Sequence, residues 1–560
     1  MRVSRLLAVG IVAALAACSQ KPETTADLVA RAGAPLFEGM GEFHRVIDTK
    51  DAGAQRYFDQ GMVLAFGFNH AEAIRSFRAA QKLDAGCAMC FWGEALATGP
   101  NINVTAKGKA IMSADEQKAA WAALEKAKAV ASSKPQAERD LIDALGKRYA
   151  PEPVTDRDPL DHAYAEALGA LVAKYPEDDD IAAMYGEAWM NTMPWNYWSN
   201  ATTPRPEIVP VIAALEKTIA RSPRHPLALH LYIHAMEASA TPEKAEKAAD
   251  TLYTLVPGSG HLVHMPAHIF YRIGRYNDAA EANVRAAKVD EDYIKQCNAQ
   301  GFYPAMYYPH NIHFLWSAAS MQGQSKVAIE AARKLASNVS LEQVDQFPTV
   351  EFFKTVPLLS LVHFGRWDEI LAEPQPRADL AYSNAIWRYA RGIAYANKGD
   401  LKAARAEQAA LVPLKANQKV MVLDGNDYPA SQLLAVADDL LQGEIALAAG
   451  NTKAAIAKFE AAVVGQDGLP YTEPPFWYYP TRQSLGFALI KAGRAKEAQA
   501  VYEKDLQQYP HNGWSTFGLI QALDAQGRKA DADMLREHFK AMWQFADIEL
   551  KGSRVSGSPT

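Results

Sequence analysis

Four histidines stand one helical turn apart in two apolar stretches. His230 and His234 lie in HLYIHAMEAS (230–239), and His264 and His268 lie in HLVHMPAHIF (261–270). Residues four apart share one helix face, so each His-x-x-x-His pair can offer two ring nitrogens to one metal ion. Imidazole suits zinc, copper, iron or nickel, with His–metal bonds of about 2.0–2.1 Å. Glu237, three residues after His234, is placed to be a ligand, an orienting carboxylate or a general base. The same histidines also have plainer readings. They are contacts to a peptide or an anionic ligand in a groove, or polar core groups bonded to backbone carbonyls.

Such pairs need helices to carry them, and helical periodicity dominates this chain: alanine is plentiful and β-branched alternation scarce. The segment Tyr479 to Pro510 contains Leu485, Gly486, Leu489, Gly493, Ala498, Tyr502 and Pro510. It resembles the tetratricopeptide repeat (TPR), a helix pair in 34 residues whose small residues sit where two helices cross closely. The marks recur at Tyr57, Gly61, Ala73, Phe77 and Ala80, at Gly392, Tyr395 and Gly399, at Gly443, Gly450 and Phe459, and at Leu519, Gly527 and Ala532. Roughly ten or eleven helix pairs fit between about residues 50 and 545. The resemblance implies an all-α, TPR-like superhelical solenoid whose repeats stack into one continuous core. It further implies that the first helices line a concave, partner-binding groove. On this reading residues 18–50 are a tether and N-terminal cap, and 51–345 an N-terminal array with the histidine-rich groove. Residues 346–546 are a C-terminal array, and 547–560 a disordered tail.

The histidines keep the repeat's time. Repeat ends fall at Pro223, Pro257 and Glu291 (257 − 223 = 34; 291 − 257 = 34), with Glu291 where proline is usual. The pairs follow suit (264 − 230 = 34; 268 − 234 = 34). They occupy the fifth and ninth positions, which the resemblance turns toward the groove. His261 and His310 are at the second position of their repeats, and His313 at the fifth of its own. Glu237 and Tyr271 share the twelfth position (271 − 237 = 34). Glu187 and Asn191, at the ninth and thirteenth positions of the preceding repeat, extend the same groove. Packed helices lie about 8–10 Å apart, so facing pairs can share an ion. The expected ligands are His230, His234, His264, His268 and His313. Pro266, between His264 and His268, removes a helix hydrogen bond and leaves the common facing of that pair open.

Three proline-and-aromatic stretches break the rhythm: Met193–Glu207, which includes Trp195, Gly301–Asn311 and Leu469–Pro480. The first two read equally as stacking walls suited to glycans or peptides and as gap-filling connectors. The third reads as a connector. Cys87 and Cys90 (CAMC) have no histidine after them, which excludes a c-type haem site. A local disulfide or two buried small residues fit this helical setting.

At the N-terminus, Arg2 and Arg5 precede an apolar run from Leu6 to Ala17 that is too short for a stable membrane anchor and reads as an export signal over residues 1–17. LAAC (Leu15–Cys18) resembles the lipobox of bacterial lipoproteins. That resemblance implies lipidation of Cys18 and, because Ser19 follows, an outer-membrane lipoprotein facing the periplasm of a Gram-negative bacterium. With 58 Lys and Arg against 64 Asp and Glu, the chain lacks the basic surface that nucleic-acid binding demands. No phosphate-binding glycine loop, His-Glu-x-x-His or Gly-x-Ser-x-Gly is present. The sequence therefore points to a lipid-anchored periplasmic TPR protein whose groove binds a protein, peptide or cell-envelope glycan, with one transition metal and neither haem nor nucleotide. The alternative is a metal-dependent hydrolase with Glu237 or Glu187 as general base; the missing motifs weigh against it.

Overall fold

The computed structural model describes residues 23–557 except 104, 107, 108, 111 and 300, and of 105, 106, 109 and 110 it describes the backbone alone. The export signal, Cys18 and residues 558–560 lie outside the described residues. The chain is an all-α, TPR-like solenoid, with helix pairs running from Ala52–Phe66 and His70–Leu83 to Gly513–Ala525 and Lys529–Met542. Two short antiparallel hairpins, Thr105–Ala106 with Lys109–Ala110 and Trp198–Asn200 with Thr203–Pro204, are its strands among the described residues. No described helix is long and apolar enough to cross a membrane.

The repeat marks have a packing cause. Phe77 of one helix lies between Gly61 of the helix before it and Gly93 of the helix after it. A Cβ at Gly61 would stand 2.7 Å from the Phe77 ring, and one at Gly93 2.4 Å away. Tyr502 fills the same place between Gly486 and Gly518, at 2.4 and 2.3 Å. The ring is thus the knob, and the two glycines are the hole that lets three helices approach.

The array then curls back on itself. Tyr276 Oη donates to Pro510 O at 3.0 Å, and Trp514 Nε1 donates to Ser320 O at 3.0 Å. The Asp547 carboxylate accepts the amides of Ser325 and Lys326 at 2.7 and 2.9 Å, while its own amide donates to Gly323 O at 3.1 Å. From the other end, the Gly258 amide donates to Gly39 O at 2.8 Å, and Arg45 forms ion pairs with Asp178 and Asp180. These contacts pack the last repeats against the middle of the chain and the N-terminal segment against the repeats before and around Gly258.

The unstructured tail expected over 547–560 is corrected for residues 547–557. Ser553 is fully buried and donates to Gln483 O at 2.8 Å. Arg554 forms a nearly buried ion pair with Glu444, and the Gly557 amide donates to Asn397 Oδ1 at 3.0 Å. Polar composition hid a segment whose few anchoring groups each have a built receptor. Cys87 and Cys90 form a disulfide at the start of helix Ala88–Thr98.

Candidate metal centre

Helix Pro226–Glu237 carries His230, His234 and Glu237, all buried. The next repeat's first helix is interrupted at Met265, giving Gly260–His264 and Pro266–Arg272. Proline supplies no amide, but Met265 keeps helical angles (φ −51°, ψ −38°), so the rings on either side still face one way. His264 Nε2 and His268 Nε2 are 2.8 Å apart, which settles the facing that Pro266 left open.

The partners of each ring determine its tautomer. His230 Nδ1 is 2.7 Å from Phe66 O, His234 Nδ1 2.8 Å from Glu237 Oε1, and His264 Nδ1 2.7 Å from Asn283 Oδ1. His268 Nδ1 meets Glu237 Oε2. Each of these oxygens is an acceptor, so each Nδ1 carries the proton and, in a neutral ring, Nε2 keeps its lone pair. Asn283 is itself oriented by donating its Nδ2 to Ala279 O at 2.8 Å. Metal-binding histidines are typically held by such partners on the other ring nitrogen.

The Nε2 atoms meet other imidazoles or nothing. His230 Nε2 lies 3.2 Å from His261 Nε2. His234 Nε2 and His261 Nδ1 are buried with no hydrogen-bond partner. Ligand atoms of His230, His234 and His261 all lie within 4.8 Å of one another, as do those of His264, His268 and His310, and those of Glu237, His268 and Glu473. Around a tetrahedral ion with His bonds of about 2.0–2.1 Å, neighbouring nitrogens are about 3.3 Å apart. The observed separations of 2.8 and 3.2 Å are close to that edge.

Electrostatics favours neutral imidazoles. Burial first, then the neighbouring imidazoles, pushes the pKa values of His230, His261, His264 and His310 well below the ordinary range. His268 moves up, because the Glu237 carboxylate beside it outweighs burial. Burial works to raise the Glu237 pKa, yet His268 and His234 together hold the carboxyl ionised. Both Glu237 oxygens are thereby engaged by imidazole N–H groups, which makes it an orienting carboxylate rather than a free base.

Over this floor lies a cavity of about 840 Å³, within the roughly 300–1,000 Å³ typical of small-molecule sites. His234, His261, His268 and His310 line it. All three aromatic insertions contribute walls: Trp195 and Trp198 from the first, Phe302 and Tyr307 from the second, Tyr471 and Phe476 from the third. Reading the third as a mere connector is corrected, since it also delivers Glu473, whose Oε2 lies 3.5 Å from His268 Nδ1. Burial drives the Glu473 carboxyl pKa upward. Arg272 stands 4.0 Å from the Glu473 carboxylate and spends its own donors on Glu237 O and Ser239 O.

The remaining expected residues divide. Trp195 lies with its ring 5.2 Å from that of His234 and donates Nε1 to Asn103 Oδ1 at 3.1 Å. His313 lines the cavity but belongs to none of the three ligand groups. Its ring stacks on Trp316 at 5.2 Å beside Phe352 and Phe353, and His310, one turn earlier, takes the place expected of it. Glu187, Asn191 and Tyr271 do not line the cavity. Glu187 sits within range of the Arg148 guanidinium, with burial lifting its pKa to about 7. Tyr271 bonds Ser317 at 3.1 Å, and neither amide atom of the buried Asn191 has a partner.

Sequence reasoning missed Phe68. Its φ is +57°, and its amide bonds Ala65 O just as Gly493 bonds Ile490 O in a glycine-containing turn. A non-glycine residue there is strained. In return the Phe68 ring packs 4.7 Å from His230 and 5.1 Å from His261. The signal was an aromatic where other repeats place glycine.

No protein-family model matches the chain, and no curated protein does. Among solved structures the chain is similar to human IFIT1 in a dimer with m7Gppp-AAAA, at 11% identity over 89% of this chain and 91% of that one, TM-score 0.33. It is also similar to the APC/C hetero-tetramer Cut9-Hcn1, at 13% over 88% and 73%, TM-score 0.29, and to yeast Tom70, at 11% over 88% and 93%, TM-score 0.27. The class that fold and site define is a TPR-like helical solenoid carrying a histidine-floored, aromatic-walled cavity.

Proposed function

We propose that this protein is a binding protein whose cavity holds a transition metal on its histidine floor and receives a small ligand against its aromatic walls. One observation carries the reading. Four imidazoles have Nδ1 fixed by acceptors from Phe66, Glu237 and Asn283, which leaves Nε2 of His230 facing His261, those of His264 and His268 facing each other, and that of His234 buried without a partner. Nitrogen-only donors suit zinc or copper, and the size of the cavity suits a compact ligand better than a folded partner. Copper, zinc and iron are all imidazole metals, and loading decides among them. The lipobox resemblance supports placement in the cell envelope, tethered through Cys18.

The test is metal analysis of untagged protein, as purified and after incubation with zinc or copper(II). Bound metal is expected, and His230→Ala or His264→Ala reduces it sharply. Protein that is metal-free and takes up neither ion overturns the reading.

A further inference from the structure

The histidine cluster consists of two copies of one arrangement. His230 and His234 occupy the fifth and ninth positions of one repeat, and His261 the second position of the next. His264 and His268 occupy the fifth and ninth positions of that next repeat, and His310 the second of the one after. Their triangles agree. Ring centroids are 4.8 Å apart for His230–His234, 4.9 Å for His230–His261 and 6.2 Å for His234–His261. The second set gives 4.7 Å for His264–His268, 4.8 Å for His264–His310 and 6.0 Å for His268–His310. The fifth-position ring is central in both. Its Nδ1 is fixed by an oxygen in both, Phe66 O in one and Asn283 Oδ1 in the other. Both ninth-position rings lean on the same carboxylate, Glu237.

We propose that the centre holds two transition-metal ions side by side, one in each histidine trio, with Glu237 as the carboxylate behind both. The proposal rests on the metal reading above and adds number and placement. Each trio supplies three ring nitrogens within 4.8 Å of one another, the donor number that leaves a tetrahedral ion one open position. The trios adjoin: His234 and His268 rings are 5.8 Å apart, as are those of His261 and His264, no farther than the long edge inside either trio. Two of the three rings in each trio line the cavity, so the open positions face the same space. The histidine trio is not repeated a third time, because the next repeat has His313 at its fifth position but Ser317 at its ninth.

The experiment loads the untagged full chain with copper(II) or zinc and counts ions by mass spectrometry. Two per chain are expected, falling to one in His261→Asn, to one in His310→Asn and to none in the double variant. Copper paramagnetic resonance on the wild type needs no variant to fold. The first equivalent gives an isolated-ion signal, and the second broadens or quenches it through coupling. One ion per chain, lost equally in both variants, overturns the two-ion centre and leaves metal binding standing. No ion in the wild type overturns both readings. Two uncoupled ions that survive both substitutions also overturn the two-ion centre, because they lie elsewhere.

Discussion

His264 Nε2 and His268 Nε2 face each other at 2.8 Å across the turn that Pro266 interrupts. The acceptors on their Nδ1 atoms, Asn283 Oδ1 and Glu237 Oε2, leave both Nε2 atoms as lone pairs when the rings are neutral. Two lone pairs at that separation repel unless a cation lies between them. A proton on His268, stabilised by Glu237, satisfies the pair; on the proposed reading a metal ion would do so in its place.

Glu237→Gln tests the orienting role. The amide offers one oxygen where two imidazole N–H groups need acceptors, and it turns an NH₂ toward one of them. Loss of such an outer partner typically weakens metal affinity by about 10–100-fold. Competition against a chelator of known affinity measures this, with helix content unchanged. Undiminished affinity contradicts the assignment.

Gly93→Ala tests the repeat packing. Its new Cβ would stand 2.4 Å from the Phe77 ring, and overpacking of this kind costs about 1–3 kcal/mol. Gly399→Ala meets no atom within 4 Å but has φ +84°, so backbone strain alone destabilises it. Equilibrium denaturation of both variants, with Gly93→Ala expected to lose more, separates the two effects.

Arg554→Ala tests the docked tail. It leaves the buried Glu444 carboxylate without its guanidinium partner, and breaking one side of a buried pair typically costs about 3–5 kcal/mol. Thermal unfolding shows the loss. Removal of residues 551–560 is expected to lower stability by a comparable amount, which a free tail would not do.

Asp505 makes stability depend on pH. Burial lifts its pKa to about 7, opposed by the hydrogen bond from Ser515 and the charge of Arg482, and assisted by Asp467. An exposed aspartate ionises near about 3.9, so between these values the folded state binds the proton more tightly than the unfolded one. The stability contributed by the protonated form is therefore lost as pH rises from about 4 through about 7. Asp505→Asn flattens that part of the profile in denaturation measured across this range.

Much of the architecture was legible because glycine, alanine and aromatic positions recur with the helix pair, and Phe77 between Gly61 and Gly93 shows why they must. The 34-residue register also located His230, His234, His264 and His268. The register also put His261 and His310 on the same groove, at the second position of their repeats, but it counted His313 rather than either of them among the metal ligands. His313 instead stacks on Trp316. Glu473 and Phe66 O come from far along the chain, and only closure of the coil brings them to the histidines. Local spacing carries no record of that closure.

Anomalous scattering from crystals of zinc- or copper-loaded protein tests the central claim most directly. Peaks are expected at about 2.0–2.1 Å from Nε2 of His230 and His234, and of His264 and His268, with Glu237 still holding the Nδ1 side of His234 and His268. A loaded crystal whose metal sits only on surface residues, with these rings bonded to one another through protons alone, contradicts it.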